Sequence, residues 1–112
     1  MGTKDFFGIV VYSIEDDGCL NGLWTNITLN GEIMNEIAKK IDNNKLIEGT
    51  YNVTYIENNK EIYNGKLLIK KIKNYYLLEW FYSEDNIKPL KSFFKGKGFK
   101  IGKQLVVSYW GV

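Results

Sequence analysis

A chain of 112 residues, 45% hydrophobic and 15% aromatic, is long enough for one packed core and too apolar to stay disordered. It has no His, and all 15 of its basic residues are Lys, which excludes Ser–His and Cys–His nucleophilic pairs, His-based zinc sites and bidentate Arg clamps. The net charge of +2 is unevenly divided, at −5 over residues 1–59 and +7 over residues 60–112, so one side of the fold is expected to be basic.

Residues 6–14 (FFGIVVYSI) are β-branched and aromatic, which predicts a strand. Glu15-Asp16-Asp17-Gly18 is a turn, and Asp-Gly is a strong hairpin signal. Residues 19–28 return as a second strand, and Asn30-Gly31 ends it. The period then changes. From Glu32 to Ile41, the residues Ile33, Ile37 and Ile41 fall at i, i+4 and i+8 with Met34 and Ala38 beside them, which predicts a short amphipathic helix closed by Asp42-Asn43-Asn44.

Alternation resumes at residues 48–57, with Tyr51, Val53 and Tyr55 on one face and Asn52 and Thr54 on the other. Asn58-Asn59 turns the chain into residues 61–72, and Lys73-Asn74 turns it again into residues 75–82. Residues 83–90, with Pro89, form a longer connection. Residues 91–100 make a strand, Ile101-Gly102-Lys103 a turn, and residues 104–110 the last strand. Three of these hairpin units open on glycine and close on tryptophan: Gly8 to Trp24, Gly65 to Trp80 and Gly98 to Trp110.

The fold class predicted is all-β: an antiparallel up-and-down meander of seven strands, or eight if residues 86–91 pair, with one short helix between strands two and three. Pairing of the first and last strands would close it into a barrel and remove both exposed edges. The whole chain, residues 1–112, reads as one such domain.

Gly22-Leu23-Trp24-Thr25-Asn26, followed by Glu48-Gly49-Thr50-Tyr51, resembles the opening of avidin-type barrels. More broadly, Gly-x-Trp early and Gly-x-Tyr later looks like the calycin superfamily of lipocalins, fatty-acid-binding proteins and avidins. The stretch from Gly49 to Tyr109-Trp110-Gly111 is similar to small bacterial lipocalin-like proteins. Here the Gly-x-Trp stands on the second strand rather than the first, and the Arg that packs across that Trp in lipocalins has no counterpart. The resemblance implies a calycin-like barrel.

Three functional readings follow. The first is non-catalytic binding of a small hydrophobic or semi-polar ligand inside the barrel, because about eight strands enclose room for packed side chains or one small molecule. The candidate lining is Trp24, Tyr51, Tyr55, Tyr63, Tyr76, Trp80 and Tyr82, joined by Val53, Leu67 and Leu78. Tyrosine suits such a site because it pairs an apolar body with a hydroxyl, although the same side chains can fill a dry core. On the last strand, Leu105/Val107/Tyr109 and Val106/Ser108/Trp110 are both open as the inner set.

The second reading is an interaction module acting as a homodimer through outward aromatics such as Phe93, Phe94 or Trp110. The third is single-stranded nucleic-acid binding by residues 93–100, which interleave Phe, Lys and Gly; the small net charge and the lack of Arg stand against it.

No enzyme, metal site or cofactor is expected. Glu57, Glu61 and Glu79 are carboxylates on predicted strands, and none has a partner carboxylate on the same inward face. Glu79 would matter only if buried, where its pKa would rise. Cys19 is single and reads as a small buried hydrophobe. No apolar run approaches the roughly 20 residues of a membrane helix, and a reduced, cytoplasmic setting is the expectation.

Overall fold

The computed structural model describes residues 6–42, 44–57, 60–82 and 92–112, except the side chains of residues 57, 61–63 and 82. It contains eight strands: β1 (Phe7–Ile14), β2 (Leu20–Asn26), β3 (Met34–Lys40), β4 (Gly49–Glu57), β5 (Lys60–Ile72), β6 (Tyr75–Tyr82), β7 (Ser92–Ile101) and β8 (Gln104–Gly111). Each is antiparallel to its neighbours in sequence, and β1 pairs with β8 from Phe7↔Trp110 to Ser13↔Gln104, which closes the barrel. Closure satisfies the backbone groups that two sheet edges would leave open. The turn chemistry is as expected at Asp16-Asp17-Gly18, where Gly18 takes a φ of 90° and the Cys19 amide donates to Asp17 Oδ1 at 2.9 Å.

The predicted helix between strands two and three is overturned. No helix occurs among the described residues, and Met34–Lys40 is strand β3, hydrogen-bonded to β2 on one side and β4 on the other. The isoleucine stripe that suggested a helix is turned outward, with Ile33 and Ile41 exposed and Ile37 half-buried. The inward residues are Met34, Glu36, Ala38 and Lys40. Local preference favours a helix for such residues, but a helix here would leave β2 and β4 each with an unpaired edge. The eighth strand is therefore β3, whereas residues 86–91 lie outside the described residues.

The inner faces fill one end of the barrel and leave the other partly open. At the filled end Leu20, Ile47, Tyr51, Ile69 and Leu105 are buried, and Tyr51 donates its hydroxyl to the Ile47 carbonyl at 2.6 Å. Lys40 reaches across the same end, donating to Asn44 Oδ1 at 2.8 Å and to the Leu46 carbonyl, with its ammonium 5.2 Å from the Tyr51 ring centre. Its charge stays at the barrel mouth while its stem covers apolar surface.

On β8 the inner set is Leu105, Val107 and Tyr109, which leaves Trp110 outside. Because neighbours in sequence are neighbours in space throughout a meander, the charge asymmetry becomes spatial. The lysine-rich strands are β5 and β7; β1, β2 and β8 carry no charged residue, and most acids of the N-terminal half lie between strands.

Candidate functional site

The open end holds a cavity of about 270 Å³, walled by Phe6, Trp24, Tyr55, Trp80, Phe94 and Tyr109, with Val10, Asn26, Thr28 and Glu36 completing the lining. Phe6 and Phe94 stack at 20°, but the other walls meet at steep angles: 89° for Trp24–Tyr55, 57° for Trp80–Tyr109 and 68° for Phe94–Tyr109. They therefore form separate walls rather than one flat stack.

At the inner end of this space lies Glu36, only 3% exposed and the one buried charged residue among those described. Its position follows from the register. Tyr12, Gly22 and Glu36 stand side by side across β1, β2 and β3. Two strand spacings place the outer pair roughly 10 Å apart at the backbone, a gap that two long side chains can bridge only if the middle position is empty. Gly22 leaves it empty, because a Cβ there would sit 2.8 Å from the Tyr12 ring and 3.2 Å from Glu36 Cγ.

The Tyr12 hydroxyl donates a short hydrogen bond to Glu36 Oε2, and Trp80 Nε1 approaches the same oxygen at 3.5 Å. No described residue donates to Oε1. Burial pushes the Glu36 carboxyl up to about 7, with the Tyr12 and Trp80 hydrogen bonds pulling it back down. The Tyr12 phenol is held well above its ordinary value by burial and by the neighbouring Glu36 charge, so it remains a donor. The site thus offers a carboxyl near the midpoint of its titration, fixed at one oxygen and unclaimed at the other.

The rim is polar and ordered. Asn26 Oδ1 accepts from the Thr28 amide at 2.9 Å and from its hydroxyl at 2.6 Å, which directs the Asn26 amide nitrogen to the Tyr109 hydroxyl at 3.2 Å. Tyr109 in turn donates to the Thr25 carbonyl at 3.1 Å. Trp24 Nε1 is buried and has no hydrogen-bond partner among the described residues.

Of the residues expected to line a ligand space, Trp24, Tyr55 and Trp80 do so. Tyr51 and Tyr76 are buried, but neither lines the cavity, and Tyr51 serves the filled end. The side chains of Tyr63 and Tyr82 lie outside the described residues. Sequence reasoning missed Phe6 and Asn26, left Tyr109 open, placed Phe94 on an outer face whereas it lines the cavity, and assigned Glu36 to a helix. The signal that could have located Glu36 is strand alternation through Met34, Glu36 and Ala38, opposite a glycine on β2.

Glu79 faces outward and lies 4.0 Å from Lys95 across β6 and β7, a half-exposed pair of small energetic value. Cys19 is partly buried, and burial with the adjacent Asp17 pushes its thiol up, away from the reactive thiolate. The Lys/Gly/Phe stretch of β7 does not present one surface. Phe94, Gly96 and Gly98 face inward, while Lys95, Lys97 and the exposed Phe99 face out.

Comparison with family profiles, with characterised proteins and with solved structures finds no match. The chain is a closed eight-stranded antiparallel barrel with an aromatic cluster at one end. That architecture agrees with the calycin-like barrel its motifs resemble. No helix among the described residues is long and apolar enough to cross a membrane.

Proposed function

We propose that this protein is a non-catalytic carrier or sensor that binds one small hydrophobic or semi-polar molecule in the aromatic cavity above Glu36. The observation that carries this reading is the cavity itself. Its volume of about 270 Å³ exceeds the roughly 150 Å³ that admits benzene and approaches the roughly 300 Å³ at which drug-sized pockets begin. A single ring bearing a short polar chain is the right size. Among the described residues Glu36 is the one carboxyl in the lining.

Tryptophan fluorescence checks the reading, because Trp24 and Trp80 both face the space. Titration with 1-naphthol, a neutral probe, should perturb the emission saturably and raise the unfolding temperature. At a probe concentration about 100 times its Kd, the stabilisation should reach about 2.7 kcal/mol. A flat emission and an unmoved melting temperature would reject it.

A second reading, association with another copy of the chain, is favoured by the outer face of β2, β1 and β8. Leu23, Val11 and Val106 stand in register there, continued by Phe99 on β7 and flanked by Phe7, Ile9 and Trp110. The outward positions of β1 and β8 carry no charge from Phe7 to Ser13 and from Gln104 to Trp110, unlike the lysine-bearing faces of β5 and β7. An uncharged patch can meet its own copy about a two-fold axis without like-charge repulsion. Ile9→Lys should convert a dimer to a monomer in light scattering; a monomeric parent protein at high concentration would remove this reading.

A further inference from the structure

We infer that the ligand is a small organic amine, held as its ammonium ion between Glu36 and the aromatic rings of Trp24, Tyr55, Trp80 and Tyr109. The inference rests on the reading that the cavity binds a ligand, and it names the chemical class.

Three observations converge on it. Glu36 is buried almost completely and lines the cavity, yet both of its hydrogen bonds fall on Oε2. A carboxylate taken out of water is costly unless a cation or several donors compensate it. Among the described residues no cation does so: Lys40 serves the far end of the barrel, and no lysine borders the cavity. An ammonium donating to Oε1 supplies the missing partner.

The surrounding rings add to this, because the electron-rich faces of Trp and Tyr attract a cation, most strongly when it is desolvated. Carboxylate and rings therefore favour the same charge. An anionic ligand meets repulsion from both, and a neutral ligand can hydrogen-bond Oε1 but forgoes the ion-pair and cation–π attraction.

The pH dependence follows from the same geometry. Among the described side chains, the titratable groups facing the cavity besides Glu36 are the phenols of Tyr12 on β1, Tyr55 on β4 and Tyr109 on β8. The other described side chains at the cavity include Trp24 and Asn26 on β2, Trp80 on β6 and Phe94 on β7, none of them titratable. The carboxyl titrates at about 7, so an ammonium ligand selects its ionised form and releases a proton on binding near neutrality. Affinity should then track the ionised fraction, which grows about ten-fold between roughly pH 6 and pH 8.

The test is a matched series of 2-phenylethylamine, 2-phenylethanol and phenylacetate, measured by calorimetry or tryptophan fluorescence on the parent chain and on Glu36→Gln. The amine should bind the parent at least about ten-fold tighter than the alcohol near pH 8, with the acid weakest. Its affinity should fall about ten-fold on going to roughly pH 6, while the alcohol does not follow that trend. In Glu36→Gln the amine-to-alcohol ratio should collapse toward one and the pH dependence disappear.

An alcohol that binds the parent as tightly as the amine overturns the inference while leaving the cavity reading intact. If 1-naphthol, the alcohol and the amine all fail to bind, the cavity reading falls and the inference falls with it. The pH series on the parent decides the matter even if the variant does not fold.

Discussion

Trp80→Ala should cost roughly 3–5 kcal/mol of folding stability, whereas Trp110→Ala should cost about 1 kcal/mol or less. Both residues close a glycine-to-tryptophan hairpin, and the sequence treats them alike. Trp80 is 3% exposed, and its ring packs against Tyr109 with centres 5.7 Å apart. Its indole nitrogen also supplies one of two donors to Glu36, so truncation both opens a large void and strips a buried carboxyl of a partner. Trp110 is 38% exposed and stands opposite Phe7 on the outer face, where truncation removes area that water already reaches. Urea unfolding at neutral pH measures the difference, and equal costs would contradict the inward and outward assignment of the two residues.

The second large effect is a stability curve that runs against the usual direction for a carboxylate. The Glu36 carboxyl ionises at about 7 when folded, against 4.5 ordinarily. Between those values the unfolded chain has released the proton and the folded chain still holds it, so stability falls as pH rises through this window. Below about pH 4.5 the penalty is absent, and above about pH 7 it is fully present, reaching about 3 kcal/mol at the usual 1.4 kcal/mol for each pH step.

Glu36→Gln keeps the volume and the acceptor for Tyr12 but cannot ionise. The variant should therefore match the parent at low pH and exceed it by up to about 3 kcal/mol above neutrality. Thermal unfolding of both proteins across this range checks the claim. Curves that stay parallel would mean that the carboxyl is not desolvated. Saturating amine should restore stability to the parent at high pH and do little for the variant, which ties this measurement to the ligand class inferred above.

Much of the barrel was legible in residue order because its signals are local. Alternation at Tyr51, Val53 and Tyr55, the Asp-Gly turn after Ile14 and the Lys73-Asn74 turn each act within a few residues. Lys73 takes the left-handed conformation there, with a φ of 57°. Closure was also readable, because an up-and-down meander brings its first and last strands together.

The segment from Met34 to Lys40 was not legible, for an identifiable reason. Its inner face mixes Glu36 and Lys40 with Met34 and Ala38, and its outer face carries Ile37, so the two-residue alternation that marks a half-buried strand is blurred. A helical stripe fits those seven residues better than a strand does, and only the need to pair both β2 and β4 decides otherwise.

The site was hidden by the same segment. Sequence alone determined an antiparallel β meander with an aromatic-rich inner face, and it excluded chemistry that needs His or Arg. The tertiary structure decided which aromatics share a space and that a carboxyl stands at its base. Glu36 meets Tyr12 from 24 residues away and Trp80 from 44 residues away, across a gap left by Gly22. Such a juxtaposition depends on strand register around a closed barrel, and nothing within a few residues of Glu36 encodes it.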